Sequence, residues 1–533
     1  MPSRHRRALI AALLVALGAA LYLPSLTAPP FHGEESRRAI PAREMLESGD
    51  FVLPTIWGRA YLNKPPGHFW LVAATSRLRG RVDEWSTRLP SALSSIAAGV
   101  VVAAWGATLF GETAGALAGV LFLLSFNVLG KGQVGEIEPP FALAVLGSLI
   151  LLWEGRAGRW GSLVGAGACL GVALLLKGPS ALLFFASAGI AITAVGAQPR
   201  FLLSARFWLP LGIGLLPLLA WAATLLDSVH ADRALETWWS EASRTGGRSD
   251  ASKFWSDRPR FFFGALGAYL PSVLLVALAV RTRTGRGLLS DPRARFLLAT
   301  VATSLLYFLV TPGPRPRYVY PLVAFSALLG AATVARALEA GDAAFLRRLR
   351  GLLGVGLVAA LGGALAGFVP AALAVAGMHG LSFAGAMLLL LTLAVGTLGL
   401  RALRRRDERH CIAFMLAALA ALGSFRAVEM RPQLFGDRSI VDRMRALEQR
   451  TPADAALGLH VLAMWNELIY LERPIEWIEE PSEAGAGRYL LLDRQALESL
   501  DEPAAFEELG HERIRGQRHL SLVRRLPATD QGT

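Results

Sequence analysis

Apolar residues along the chain come in blocks of about 20, long enough to cross roughly 30 Å of hydrocarbon at 1.5 Å per residue. Reading these blocks predicts about thirteen membrane spans. Their limits fall near 8–25, 89–110, 113–130, 138–153, 160–177, 179–196, 205–226, 260–280, 294–311, 318–335, 351–376, 381–400 and 411–426. The first block follows the basic start "MPSRHRR". It reads as an uncleaved span rather than a signal peptide, because the apolar run is long and no A-x-A cleavage site follows it.

Basic residues alternate between the loops that join these blocks. Arg4, Arg6 and Arg7 precede the first span, Arg156 and Arg159 follow the fourth, and Arg200 and Arg206 follow the sixth. "RTRTGRGLLSDPRAR", then Arg336, Arg347, Arg348 and Arg350, then "RALRRRDERH" continue the series. All of these fall on one side, which predicts a cytoplasmic N-terminus and an odd number of spans. Three long segments then lie on the outer face: residues 26–88, residues 227–259 and the chain from about 427.

The last segment has a different pattern. "AALGLHVL", "RYLLLDR" and "HLSLVRRL" read as short strands, and "DRSIVDRMRALEQR" and "RQALESLDEPAAFEELG" have helical apolar spacing. The expected fold is an all-α polytopic membrane protein with a small C-terminal outer α/β domain. The transmembrane domain is expected over residues 1–426, with surface helices in the outer loop 26–88, and the outer domain over 427–533.

Composition agrees with this architecture. Of 533 residues, 53% are hydrophobic and only 18% charged. The formal charge of +13 is accounted for by the one-sided arginines, so it makes no case for a nucleic-acid partner. The two cysteines, Cys169 and Cys411, both lie inside apolar blocks and provide no disulfide framework.

The first outer loop carries the densest chemistry. In "FHGEESRRAIPAREMLESGDF", Ala39, Ala42, Met45 and Leu46 suit an amphipathic surface helix, interrupted by Pro41 and broken by "SGDF". "YLNKPPGHFWLVAATSRL" predicts a second surface helix starting at Pro65 and Pro66, with Phe69, Trp70 and Leu71 in the lipid interface. Glu34 and Glu35 are either solvated loop carboxylates or a partly desolvated acid–base pair. Lys64 is either a lipid-headgroup contact or a cation that holds a specific phosphate. "HGEE" also offers His32, Glu34 and Glu35 to a divalent metal, but no second ligand cluster accompanies it.

The stretch "EESRRAIPAREMLESGDFVLPTIWGRAYLNKPPGHFWL" resembles the first outer loop of the protein O-mannosyltransferase and aminoarabinose (lipid A) transferase superfamily, whose members are GT-C fold glycosyltransferases. The shared pattern comprises Glu34-Glu35, Arg37, Arg43-Glu44-Met45-Leu46, Gly49-Asp50, Pro54, Gly58 and Lys64-Pro65. Four further stretches resemble family elements in the same order: "GEIEPPFAL", "ALLLKGPSAL", "SKFWSDRPRFFFGALGAYLPSVLL" and "PRPRYVYPLVAFSALL". Two features depart from the family. Glu stands where Asp is usual at both acidic positions, and Pro41 interrupts the first surface helix.

The resemblance implies transfer of a sugar from a polyprenyl-phosphate donor at the outer face of the inner membrane, with inversion. The acceptor would be a glycolipid, a protein or an envelope polymer, and the one cofactor the sequence offers a place for is a divalent metal near His32 and Glu34. It implies Glu34 and Glu138 as the catalytic carboxylates, with Glu136 second to Glu138 and Glu35 in support. It implies Lys64, Arg37, Lys177, Arg315, Arg317 and Tyr318 around the donor phosphate. The arginine pattern alone puts Glu34, Glu35, Lys64, Glu138, Lys177, Arg315 and Arg317 at the outer face, at the depth of a lipid phosphate. The alternatives are a lipid or glycan transporter, for which charges within the spans are usual, and a non-catalytic envelope assembly protein.

Overall fold

The computed structural model describes residues 3–196, 198–226, 232, 236–237, 251–311, 313–460, 465–500, 502–513 and 519–527. The expected outer segment 227–259 lies largely outside them. The polypeptide is a bundle of apolar helices crowned at one end by two surface helices and a small sheet, the architecture of a polytopic membrane protein.

Helix α1 (Ser3–Tyr22) enters the bundle. The first loop then forms α2 (Ser36–Ser48), β1 (Thr55–Ile56), β2 (Arg59–Ala60) and α3 (Gly67–Arg77). Next come α4 (Glu84–Phe110), α5 (Glu112–Leu123), α6 (Phe126–Lys131), α7 (Glu138–Gly155), α8 (Trp160–Lys177), α9 (Ser180–Ala194) and α10 (Ala205–Leu226). Helix α4 starts where the sequence supplies a capping box: the Asp83 side chain accepts from Ser86 N at 2.9 Å, and Ser86 Oγ lies 2.9 Å from Asp83 N.

Among the described residues, nine helices are long and apolar enough to span a membrane, or ten if a pair bent by 92° counts as one span. The other expected blocks differ for local reasons. Block 113–130 is cut at Leu123, and block 179–196 forms only the 15-residue α9. Block 138–153 opens on Glu-Pro-Pro, which dilutes its apolar character, and block 260–280 breaks between Ser256–Ala268 and Ser272–Leu278.

The arginine loops gather at one end of the bundle. Arg6 lies 3.2 Å from Glu112, Arg293 donates to the Leu109 carbonyl at 2.6 Å, and Arg350 lies 2.6 Å from Glu408. The opposite end is marked by Tyr22, whose hydroxyl donates to the Leu123 carbonyl at 2.6 Å, and by Trp221, which donates to the Val52 carbonyl at 2.9 Å.

The first loop sits at this second end. Pro41 stays inside α2, buried, and Gly49 ends the helix in the left-handed region at φ 76°. Ala42 and Met45 pack against Phe69, Val72 and Ala73 of α3. Phe69 is therefore fully buried between the surface helices instead of lying in lipid, and Trp70 donates to the Phe51 carbonyl at 2.7 Å. Of the three residues expected at the lipid interface, only Leu71 is exposed.

Helix Glu408–Phe425 continues through a wider turn to Phe435, nine residues past the expected boundary at 426. Beyond it lies a five-stranded sheet in the order β4-β3-β5-β7-β6, formed by β3 (Leu457–His460), β4 (Ile475–Trp477), β5 (Tyr489–Asp493), β6 (Phe506–Arg513) and β7 (His519–Arg525). Strand β3 runs parallel to β4 and β5, and β7 is antiparallel to β5 and β6. The three expected strands are β3, β5 and β7. The expected helix over "RQALESLDEPAAFEELG" forms only at Arg494–Glu498. Pro503 stops the pattern, and Phe506–Arg513 pairs with β7. The sheet domain packs on the first loop: Phe31, Ala39, Ile40, Ile56 and Trp57 share a core with Met444, Leu447, Leu457, Leu459 and Leu491.

Candidate active site

Helix ends converge beneath α2 and α3. Gly67 opens α3 directly against α8, where a Cβ would meet the Leu175 carbonyl at 2.7 Å. Pro65 lies against Gly178, a left-handed residue at φ 70° that ends α8. Only glycine meets both demands, a close backbone approach at 67 and a positive φ at 178. This packing brings the Lys64-Pro65-Pro66 turn to the end of α8 that carries Lys177.

Lys177 donates to Glu138 Oε1 at 3.3 Å, and Arg317 Nε approaches the same oxygen at 3.8 Å. Glu138 is the first residue of α7 and is 4% exposed, a buried carboxylate compensated by two cations at a helix N-terminus. Lys177 also lies over the rings of Phe141 and Tyr318, 5.1 and 5.6 Å from their centroids. Arg317 feels the charges of Glu138, Glu136 and Glu34 together, so carboxylates of both acidic loops act on one guanidinium.

Glu34 is the open member of the site, its side chain 31% exposed. It accepts from Arg37 at 3.2 Å and lies 3.8 Å from Arg38. Glu136 pairs with Lys131 and faces Glu138 within hydrogen-bond reach. Burial, and then the neighbouring negative charge of Glu138, push the Glu136 carboxyl up to about 7.

Glu35 is directed elsewhere. It is fully buried, and Arg88 donates to its two oxygens at 2.6 and 2.7 Å. Oε1 also accepts from Gly135 N at 2.8 Å, and Oε2 from His32 N at 3.0 Å. Burial alone would raise its pKa, but the charge and hydrogen bonds of Arg88, joined by His32, hold it well below the usual carboxylate range. One turn along α4, Ser91 donates to the Glu136 carbonyl at 2.8 Å and accepts from Glu136 N at 3.1 Å. Helix α4 thus holds both acidic loops, one through Arg88 and one through Ser91.

His32 Nδ1 lies 3.1 Å from Glu35, while Glu34 turns to its arginines. Among the described residues no group of three His, Cys, Asp or Glu side chains could hold a metal ion. A separate cleft of about 530 Å³ opens between the first loop and the sheet domain. Arg43, Arg438 and Tyr470 line it, and neither Glu34 nor Glu138 does.

Residues 63–223 match the family model for dolichyl-phosphate-mannose-protein mannosyltransferase. An undecaprenyl phosphate-alpha-4-amino-4-deoxy-L-arabinose arabinosyl transferase of Enterobacter sp. (strain 638) is 26% identical over 313 residues, 56% of this chain and 54% of that protein. The same-named protein of Pseudomonas paraeruginosa (strain DSM 24068 / PA7) is 28% identical over 369 residues, 66% of this chain and 64% of its own length. The chain therefore matches between about half and just under two thirds of the length of these relatives. The crystal structure of ArnT from Cupriavidus metallidurans bound to undecaprenyl phosphate superposes with a TM-score of 0.70 at 19% identity, covering 98% of this chain and 99% of that one. The chain shares the fold of that ArnT structure, and part of it is similar in sequence to protein mannosyltransferases and aminoarabinose transferases.

Of the residues that the superfamily pattern nominates, Glu34, Arg37, Glu138, Lys177, Arg317 and Tyr318 form one linked cluster, and half-buried Lys64 precedes Pro65, which lies beside Gly178 at the end of α8. Arg315 is exposed before the turn Pro316–Leu322, and the described contacts do not bring it to the carboxylates. Glu35, expected beside Glu34 in support, is occupied by Arg88. Sequence reading passed over Arg88, Ser91, Lys131, Arg38 and His68. A charged residue at the mouth of an apolar span, as in "TRLPSAL", is the one signal that pointed to Arg88.

Proposed function

We propose that the protein transfers a sugar from a polyprenyl-phosphate donor to a membrane-borne or envelope acceptor, a glycolipid, a protein or a polymer. The reading places the reaction at the outer face of the inner membrane, with the N-terminus cytoplasmic and the domain from about 427 onward outside. The observation that carries it is Glu138 joined to both Lys177 and Arg317, with Glu34 facing that group from a separate loop.

The cations suit a lipid phosphate. Lys177 and Arg317, with Lys64 at the edge, would hold the donor phosphate and stabilise its charge as the glycosidic bond breaks. Glu34, the more open carboxylate, would receive a proton from an acceptor hydroxyl on the far side of the anomeric carbon, giving inversion. With a phosphate acceptor Glu34 orients and no strong base is needed. Glu138 keeps its two cations aligned. The ionisable residues of this group lie where loops meet helix ends, which favours chemistry on a surface-held substrate over passage through the bundle.

The test is release of polyprenyl phosphate from a panel of polyprenyl-phosphate sugars by the purified full-length chain in the presence of membrane extract. Absence of release with every donor overturns the reading.

A further inference from the structure

Two buried polar side chains between the acidic loops have no part in the scheme above. His68, in the first turn of α3, is fully buried, and neither ring nitrogen has a hydrogen-bond partner. Arg38 of α2 is 6% exposed, and its Nε and Nη1 likewise have none. Arg38 reaches Glu34 at 3.8 Å through Nη2, and His68 feels the charges of both Arg38 and Glu138. The pair is thus in reach of Glu34 and within the electrostatic range of Glu138, the two carboxylates that flank the reacting sugar in the proposed function, on which this inference rests. Unpaired donors and acceptors buried this deeply are costly to keep, and a ligand group that satisfies them repays that cost.

We propose that Arg38 and His68 form a sugar-recognition subsite selecting a donor with a neutral hydroxyl-bearing sugar over one with a cationic amino sugar. Burial, then the positive charge of Arg38, hold the His68 imidazole down to about 3 against the pull of Glu138, so the ring is neutral. A neutral imidazole keeps one nitrogen as an acceptor. A sugar hydroxyl donates to that nitrogen and accepts from an unpaired Arg38 N–H. An ammonium group has no lone pair for Arg38 to meet and places a like charge against a buried guanidinium. The similar transferases of Enterobacter and Pseudomonas are named for a 4-amino-4-deoxy-L-arabinose donor. This chain would take a different sugar from the same type of carrier.

The experiment measures binding of three ligands to the detergent-solubilised full-length protein: undecaprenyl phosphate, undecaprenyl-phosphate arabinose and undecaprenyl-phosphate 4-amino-4-deoxy-arabinose. The wild type should bind the neutral sugar donor at least about 10-fold more tightly than the amino donor, the scale of discrimination by a site built to hydrogen-bond a hydroxyl. Arg38→Met and His68→Leu should each remove most of that preference and leave undecaprenyl phosphate binding unchanged. His68→Asn, which keeps a donor and an acceptor, should retain part of it. Equal affinities or an amino-sugar preference in the wild type would mean that the pair encloses only a buried water, and the proposal fails. Equal loss of all three ligands in both variants would assign the pair to packing alone and also overturns it. No binding of undecaprenyl phosphate by the wild type defeats the transferase reading itself. If the variants do not fold, the wild-type preference alone decides.

Discussion

Arg88 of α4 grips both carboxylate oxygens of Glu35, at 2.6 and 2.7 Å, with both side chains fully buried and 53 residues apart in the chain. The remaining guanidinium hydrogens donate to the carbonyls of Leu26, Pro29 and Pro30 at 2.9, 2.8 and 3.1 Å. One side chain therefore ties down the whole entry of the first loop. Glu35 passes the constraint on through Gly135 to the second acidic loop.

Removing one partner of such a pair strands a buried charge. Arg88→Met should destabilise the protein by about 3–5 kcal/mol, the usual cost of breaking a buried ion pair. Arg88→Met combined with Glu35→Gln should recover part of this, because no bare carboxylate remains. Thermal unfolding in detergent measures both. A loss in Arg88→Met below about 1 kcal/mol, the range of exposed pairs, would remove Arg88 from this role.

The raised Glu136 carboxyl gives a pH prediction. Below about 7 it holds a proton, and above that it ionises beside Glu138. The added negative charge then competes for Lys177 and Arg317, so donor affinity should fall as pH rises through about 7. Lys131, already paired with Glu136, moderates the change. Glu136→Gln should bind donor with no such decline. Donor titrations from pH 6 to 8.5 decide it, and an unchanged decline in the variant would assign the effect to another group.

Much of this arrangement was legible in the sequence because it rests on local patterns. Twenty-residue apolar blocks, the order of Glu34, Lys64, Glu138 and Lys177, and the short apolar run in "RYLLLDR" each depend on neighbours in the chain. What escaped depends on partners far away. Nothing near Glu35 announces Arg88, and nothing near Glu136 announces Ser91, because those bonds exist only after α4 is packed. Phe69 looked like a lipid anchor because its sequence does not record that α2 covers it. The strand at Phe506–Arg513 was hidden for a similar reason: its pattern suits a helix until β7 supplies a partner.

The basic end of the bundle gives a topology prediction. Arg406 lies in the series of arginine loops, and Leu526 follows β7 in the domain packed on the first loop. Reporter fusions after Arg406 and after Leu526 should report opposite compartments, cytoplasmic and outer respectively. The same compartment for both would overturn the orientation.

Lys64 and Lys177 are expected to hold the donor phosphate from two sides of the α3–α8 contact. Lys64→Ala and Lys177→Ala should each weaken undecaprenyl phosphate binding by the worth of a charge-assisted hydrogen bond, about 1.5–3 kcal/mol. Lys177→Ala should also leave Glu138 with Arg317 as its remaining close cation, so its effect should be the larger. Unchanged binding in a folded Lys64→Ala protein would return that residue to lipid contact.

The last prediction separates the carboxylates by how much each already has to do. Glu35 is satisfied by Arg88, and Glu138 by Lys177 and Arg317, whereas Glu34 is part-exposed and, among the described residues, pairs with Arg37 and Arg38 at the start of α2. On the proposed function, Glu34 is therefore the carboxylate expected to exchange a proton with an incoming acceptor. Glu34→Gln keeps the shape and removes the charge, so turnover should fall by about 10²–10⁴-fold while donor binding survives. Glu138→Gln should instead weaken donor binding as well, because Lys177 and Arg317 lose the charge that aligns them. Glu35→Gln should act mainly on stability. Transfer assays paired with undecaprenyl phosphate titrations distinguish the three. Near-normal turnover by Glu34→Gln, or a severe turnover loss confined to a stably folded Glu35→Gln, would move the proton-handling role away from Glu34.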